Sequence, residues 1–316
     1  MTDAAVSCAS APPVDTRSIA VVLNARAGAL LSRADALDAA TGVFAQAGLR
    51  PDFVPLDAGN LPRRVEIARE MNPGAVVVAG GDGSIGCAAQ RLAGTDTPLG
   101  LVPFGTMNLL AKDLGIPTAE PEAAVRAIAA GHTSAIDVGE VNGHVFLNSS
   151  MIGLPAHVGR VREKQRARAR GIRMWARVAL AALRLMRRTR SRRFVIETDD
   201  GAQTVRATAM VVSVNAVDEP GGRALGRSSL EGGELVIYVF ERLKVVDAAR
   251  LAGRYLRGTW RDTAILREIH AASFTIRCGR KALRVMNDGE NILLVPPLQF
   301  RLRPRALRVF SPAPPH

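Results

Sequence analysis

The acids most able to do chemistry in this chain sit in glycine turns. Gly80-Gly81-Asp82-Gly83-Ser84 surrounds one carboxylate with three glycines, directly after the apolar run 75–79. A second apolar run, 99–103, is followed by Phe104-Gly105-Thr106-Met107-Asn108. Far downstream, Asp288-Gly289-Glu290 places two more acids two residues apart. An ordinary turn needs one Gly or Asn, so this glycine density implies that something comes close to the backbone. Phosphate fits, because bare N–H groups and a helix N-terminus attract an anion. A carboxylate aimed at phosphate is repelled unless a cation lies between them, so Asp82 points to Mg²⁺. Ser84 is read as the cap of a helix over 85–92. In the late triplet, Gly289 lets the backbone turn so that two acids divide metal contact and proton acceptance. Read in isolation, Asp288-Gly289 is a plain hairpin turn following Asn287, and the first turn is a strand–turn–helix without ligand.

The elements that must position these residues follow two different patterns. Up to about residue 134, apolar strands (17–23, 50–56, 75–79, 99–103) alternate with helical stretches (33–46, 61–71, 121–130). That alternation predicts a doubly wound, parallel α/β domain over 17–134. Its ligands should lie beyond the carboxyl ends of the strands, where Asn24, Asp82 and Thr106 fall. From 135 to 297 the reading changes to short strands with Gly or Asn-Asp turns. Asn142-Gly143 between apolar runs predicts a hairpin with a type I′ turn, and 193–198 with 203–215 reads as another. This second domain is predicted to be a mainly antiparallel β-sandwich, with helices at 245–256 and in a basic insert, 160–193. Residues 298–316 are open to returning to the first domain, and 1–16 reads as a disordered tail.

At 316 residues the chain is long for one core, and 47% hydrophobic content is that of a globular protein. The net charge is +13, and the insert 160–193 carries fourteen Lys or Arg against Glu163 alone, so the basicity is one local patch. Ile172, Trp175, Ala176, Ala179, Leu183 and Met186 repeat at helical spacing within it. A solvated surface helix and a helix drawn to an anionic membrane surface are the readings to separate. Nucleic-acid binding is not expected, with 4% aromatic residues and no helix-turn-helix or zinc finger. Cys8, Cys87 and Cys278 form neither a disulfide framework nor a zinc spacing, so a cytoplasmic location is expected. The five histidines (His132, His144, His157, His270, His316) lack ligand spacing and are read as surface residues.

Together, GGDGS at 80–84, PFGTMNLLAKDLGIP at 103–117 and MNDGE at 286–290 resemble the diacylglycerol kinase catalytic domain family, which includes sphingosine kinases and bacterial lipid kinases. The stretch FLNSSMIGLPAHVGRVRE at 146–163 is similar to the start of that family's second domain. The resemblance implies a two-domain kinase with ATP in the cleft between domains and Mg²⁺ as cofactor. It assigns nucleotide contacts to Asn24, Gly28, Gly80, Gly81, Asp82, Gly83, Ser84, Gly105, Thr106 and Asn108. It assigns metal contacts to Asp82 and Asp288, and catalysis to Glu290 and Asp288, with Glu290 favoured as base. The chain departs from the family in three places. Asn24-Ala25-Arg26-Ala27-Gly28 replaces Asn-Pro-x-Ser-Gly, Gly86-Cys87 replaces Asn-Glu, and Leu230-Glu231-Gly232-Gly233-Glu234 lacks the aspartates of a second, structural metal site.

The expected activity is transfer of the γ-phosphate of ATP to a primary hydroxyl of diacylglycerol, a sphingoid base or a related lipid. The enzyme would visit an anionic membrane surface through 160–193, and an oligomer is left open. The alternatives are a soluble-substrate kinase of the NAD kinase type and a nucleotide- or lipid-sensing module without turnover. PFGTMN and the absence of Asn-Glu argue against the first; intact Asp82, Asp288 and Glu290 argue against the second.

Overall fold

The computed structural model describes residues 18–24, 36–105, 107–157, 180, 183–184, 191–217, 227, 229–241, 246–247, 250, 253–254, 259 and 266–312. Gly28, Thr106, the tail 1–16 and the greater part of 160–193 and 245–256 lie outside the described residues. The chain divides into two compact units. Unit 1 comprises residues 1–138, 229–231 and 303–316; unit 2 comprises 139–228 and 232–302.

Unit 1 is the α/β unit. It contains β1 (Ser18–Leu23), α1 (Ala36–Gln46), β2 (Arg50–Phe53), α2 (Leu61–Glu70), β3 (Ala75–Gly80), α3 (Asp82–Leu92), β4 (Leu99–Pro103), α4 (Leu109–Asp113) and α5 (Pro121–Ala129). β3 and β4 are buried along their whole length, as their unbroken apolar runs require of a strand covered on both faces. β1 pairs in parallel with both β2 and β3, and β3 pairs in parallel with β4. The order β2-β1-β3-β4 therefore reverses direction between β1 and β3. A buried cluster of Ile19, Val21, Ala75, Val77, Val102, Val125 and Ile128 forms the core. The helix starts follow local chemistry: Asn60 caps α2 by accepting from the Arg63 N–H, and Pro121 opens α5.

Unit 2 is built of antiparallel strands. Strand β5 (Thr133–Val141) leads into it, followed by β6 (His144–Phe146), β7 (Ser149–Gly153), β8 (Arg192–Thr198), β9 (Gly201–Ala207), β10 (Ala209–Val214), β11 (Leu235–Phe240), β12 (Leu266–Ala271), β13 (Ser273–Arg277), β14 (Leu283–Asn287), β15 (Glu290–Leu294) and the start of β16 (Leu298–Phe310). One sheet has the order β12-β11-β10-β7-β14-β15; the first half of β16 joins β13, β8 and β9 in another. Side chains from both, among them Ile152, Val212, Ile237, Val285, Phe274 and Phe300, fill one core. The Asn142-Gly143 turn has positive φ at both residues (47° and 84°), the backbone a type I′ turn requires.

Four strands differ from the sequence reading. The strand expected over 203–215 breaks at Thr208, whose N–H and hydroxyl donate to the carbonyls of Phe240 and Glu241, so β9 and β10 belong to different sheets. Strand β16 was not foreseen, because Arg301, Arg303, Pro304 and Arg305 interrupt its apolar alternation. Strands β7 and β12 were also missed; β7 places polar Ser150 on its buried side, and β12 carries Arg267, Glu268 and His270 among its few apolar residues.

Candidate functional site

In unit 1 the candidate residues gather at the carboxyl ends of β1, β3 and β4, beside the reversal of strand order where open α/β sheets bind ligands. Asn24 follows β1 directly and donates its backbone N–H to the Ala79 carbonyl at 2.9 Å. Its Nδ2 donates to Ser84 Oγ at 2.6 Å, so one side chain bridges the reversal. Ser84 was expected to cap α3. Instead the helix starts three residues earlier, at Asp82, with Gly81 as N-cap and no side-chain cap. The buried Ser84 hydroxyl is spent on Asn24. The N-terminus of α3 is thus left with first-turn N–H groups that no side chain satisfies, a site suited to an anion.

The glycines have a more specific reason than ligand approach alone. A Cβ on Gly105 would stand 2.7 Å from Gly81 Cα, and a Cβ on Gly81 would stand 3.0 Å from Gly105 Cα. A Cβ on Gly80 would meet Ser84 Oγ at 2.5 Å. The two loops touch backbone to backbone, and what approaches each glycine is the other loop. Asp82 fastens them: its Oδ2 accepts from the Asn108 N–H at 2.9 Å and its Oδ1 from the Leu109 N–H at 2.8 Å. Asn108, buried and in the left-handed region (φ 47°), closes its own loop by accepting from Gly105 N and donating to Gly105 O. Asp82 therefore caps α4 from across the gap between two loops. Each oxygen keeps a lone pair, and Mg²⁺ held chiefly by phosphates needs only one or two carboxylates, so Asp82 fits such an ion. No group of three or more metal-type side chains occurs among the described residues.

In unit 2, Asp288 and Gly289 form the two-residue turn between β14 and β15, with φ of 46° and 91°. The Asp288 carboxylate accepts three backbone N–H groups, from Leu147 (2.6 Å), Asn148 (2.8 Å) and Ser149 (3.0 Å). Its own N–H donates to the Ser149 carbonyl. The hairpin tip is thereby sewn to the strand-entry segment 147–149. Burial raises the Asp288 pKa; the three amide donors and the Arg227 charge pull the other way. These commitments leave Asp288 poorly suited to a metal ion. Glu290 pairs with Asn287 at the mouth of the hairpin and is exposed. Arg227, which the sequence did not single out, donates to the Leu147 carbonyl at 2.6 Å and so braces the same segment.

The residues at the family's second metal position behave differently again. Glu231 pairs with Arg305 at 3.1 Å, so a guanidinium supplies the positive charge there. Glu234 is a hydrogen-bond partner of the exposed His270 at 2.9 Å. At Gly86-Cys87, burial raises the Cys87 thiol pKa against the nearby Arg91 charge.

Residues 18–141 match the family described as the diacylglycerol kinase catalytic domain, and residues 148–311 match the YegS C-terminal NAD kinase beta sandwich-like domain. The second match alone covers more than half of the chain. The chain belongs to the diacylglycerol kinase catalytic domain family. Within this family it is 49% identical over 67 residues to a diacylglycerol kinase of Mycobacterium tuberculosis, covering 21% of this chain and 22% of the relative. It is 37% identical over 110 residues to the Escherichia coli protein named "Probable lipid kinase YegS", covering 33% of this chain and 36% of that one. The matched stretches thus span between about a fifth and a third of those relatives' length. A solved diacylglycerol kinase structure from Bacillus anthracis str. Sterne aligns over 95% of this chain and 98% of that one, with a TM-score of 0.62 at 18% identity, which establishes the fold. The first match falls mainly in the α/β unit and the second mainly in the antiparallel unit.

Proposed function

We propose that the chain is an ATP-dependent lipid kinase that phosphorylates a hydroxyl of diacylglycerol or a related lipid. One observation supports it above the others: the α3 N-terminus stays uncapped at the strand-order reversal, while Asp82 fastens the neighbouring loop beside it. The N–H groups of Asp82 and Gly83 would receive the ATP phosphates, with Gly81 and Gly105 keeping the loops close and Gly83 adding no side chain there. Asn24 and Ser84 would hold the β1 end of the same loop cluster. Asp82 would share a Mg²⁺ ion with the phosphates, and that ion supplies charge neutralisation on the transferring group.

Glu290 is the proposed proton acceptor. The lipid O–H gives its proton to the Glu290 carboxylate, the oxygen bonds to the γ-phosphorus, and the bond from phosphorus to the β–γ bridging oxygen breaks to release ADP. Asp288 is proposed to position Glu290 by pinning the hairpin tip to residues 147–149.

No helix among the described residues is long and apolar enough to cross a membrane. We place lipid access at the membrane surface, with the basic segment 160–193 drawn to anionic headgroups. The test is transfer of label from γ-radiolabelled ATP to an extracted lipid mixture, with and without anionic vesicles. Label in the organic phase, increased by anionic vesicles and reduced by salt, is the expected result. Label only in a water-soluble product would contradict the lipid assignment.

A further inference from the structure

Across the six-stranded sheet of unit 2, one row of register partners changes character in steps. It runs Ile237, Val212, Ser150, Asn287, Glu290 over five adjacent strands. Ile237, Val212 and Ser150 are fully buried, Asn287 is 7% exposed, and Glu290 is exposed. Ser150 lies two residues from Ile152, and Asn287 two from Val285. Ile152 and Val285 are partners in register and sit in the core. By the strand's two-residue period, Ser150 and Asn287 face the same way as those core residues. The apolar interior thus gives way to a hydroxyl, then an amide, then a carboxylate.

The two middle members are unsatisfied. Ser150 Oγ and both Asn287 Nδ2 and Oδ1 are buried without a hydrogen-bond partner. Buried polar atoms are nearly always paired, and leaving three unpaired in one row lowers stability without any return inside the unit itself. Such groups persist where a ligand completes them.

We infer that Ser150 and Asn287 form the subsite for the acceptor hydroxyl, a neutral alcohol. The inference rests on the reading of Glu290 as proton acceptor. The chemistry selects the ligand: an amide and a hydroxyl offer donors and acceptors but no positive charge, so they match an alcohol and not a phosphate or carboxylate. Asn287 Nδ2 donates to the alcohol oxygen, whose proton is directed toward Glu290. Asn287 Oδ1 is then steadied by the Ser150 hydroxyl one strand further in. These contacts close with the alcohol in place, as catalytic hydrogen bonds commonly tighten only in the bound complex. A site built to hydrogen-bond a hydroxyl strongly rejects analogues lacking it.

The experiment measures binding of dioctanoylglycerol in detergent micelles, and of its deoxy analogue lacking the free hydroxyl. Wild type, Asn287→Leu and Ser150→Ala are compared, with ATP affinity and Tm measured in parallel. The subsite predicts that wild type prefers dioctanoylglycerol over the deoxy analogue, and that each variant loses that preference by about tenfold or more. ATP affinity should hold, and Tm should stay level or rise, since unsatisfied groups have been removed. Unchanged preference in Asn287→Leu would overturn the inference. So would a fall in Tm in both variants, which would mark the two side chains as structural. Hydroxyl preference that depends on Asn287, in a wild-type chain that transfers no phosphate, would support the subsite and sink the kinase reading. Normal transfer to dioctanoylglycerol with unchanged KM in Asn287→Leu would sink the subsite and spare the kinase.

Discussion

Asp82 in the α/β unit and Asp288 in the antiparallel unit solve the same problem with different neighbours. Each is a carboxylate flanked by glycine, and each spends both oxygens on backbone N–H groups of a distant loop. Asp82 joins the ends of two parallel strands, with partners 26 and 27 residues away in sequence. Asp288 joins a hairpin tip to a segment about 140 residues away. Asp82 caps a helix and keeps lone pairs available; Asp288 accepts a third donor in surroundings whose burial raises its pKa. In both units the glycine-flanked acid draws the eye, while the group we propose to act lies next to it: the α3 N-terminus in one case, Glu290 in the other. One clasp can still share a cation, and the other is committed to holding the chain.

The comparison can be broken by removing each clasp in turn. Asp288→Ala should have the largest effect, since it orphans three backbone donors; we expect a loss of about 3–5 kcal/mol, read by urea unfolding. Gly105→Ala should come next, at about 1–3 kcal/mol, because its Cβ meets backbone at Gly81 that has no flexible end to move aside. The same variant should weaken ATP binding, which separates loop contact from simple destabilisation. Asp82→Asn should cost about 1 kcal/mol, the scale of a lost helix cap, with one amide oxygen still accepting. If Asp82→Asn proved more destabilising than Asp288→Ala, the ranking of the two clasps would be reversed.

A smaller effect sharpens the contrast through pH. Because burial raises the folded Asp288 pKa above its unfolded value, the folded chain holds that proton to higher pH than the unfolded chain does. The contribution is full below the unfolded pKa and is lost as pH rises through the folded one. Wild-type stability should therefore fall across that window relative to Asp288→Asn, which carries no such proton. Urea titrations of both proteins over the acid range test this, and parallel curves would contradict it.

Much of the α/β unit was legible in the sequence because buried parallel strands are written as unbroken apolar runs, as in 75–80 and 99–103. The Asn142-Gly143 turn was legible because few residues tolerate positive φ at both positions. Strand β16 was not, since Pro304 and four arginines between 301 and 308 disguise its alternation. Asp82, Asp288 and Glu290 stand out in the sequence by type and spacing, but the partners of the two aspartates do not. Leu147, Asn148, Ser149 and Leu109 act through backbone N–H groups, which every residue but proline carries and no side chain announces. Ser84 was misjudged for a related reason: its partner, Asn24, is 60 residues away, and a local cap was the only partner the sequence offered. Asn287 was visible only as the residue before a turn; its unsatisfied amide depends on register with Ser150, which folding alone defines.

The central claim is that both aspartates hold loops while Glu290 takes the proton. It is tested most directly by single-turnover transfer of labelled γ-phosphate to dioctanoylglycerol in Glu290→Gln, with ATP binding measured on the same preparation. The account predicts a rate lower by about 10²–10⁴-fold with ATP affinity nearly unchanged. A near-normal rate in Glu290→Gln would contradict it.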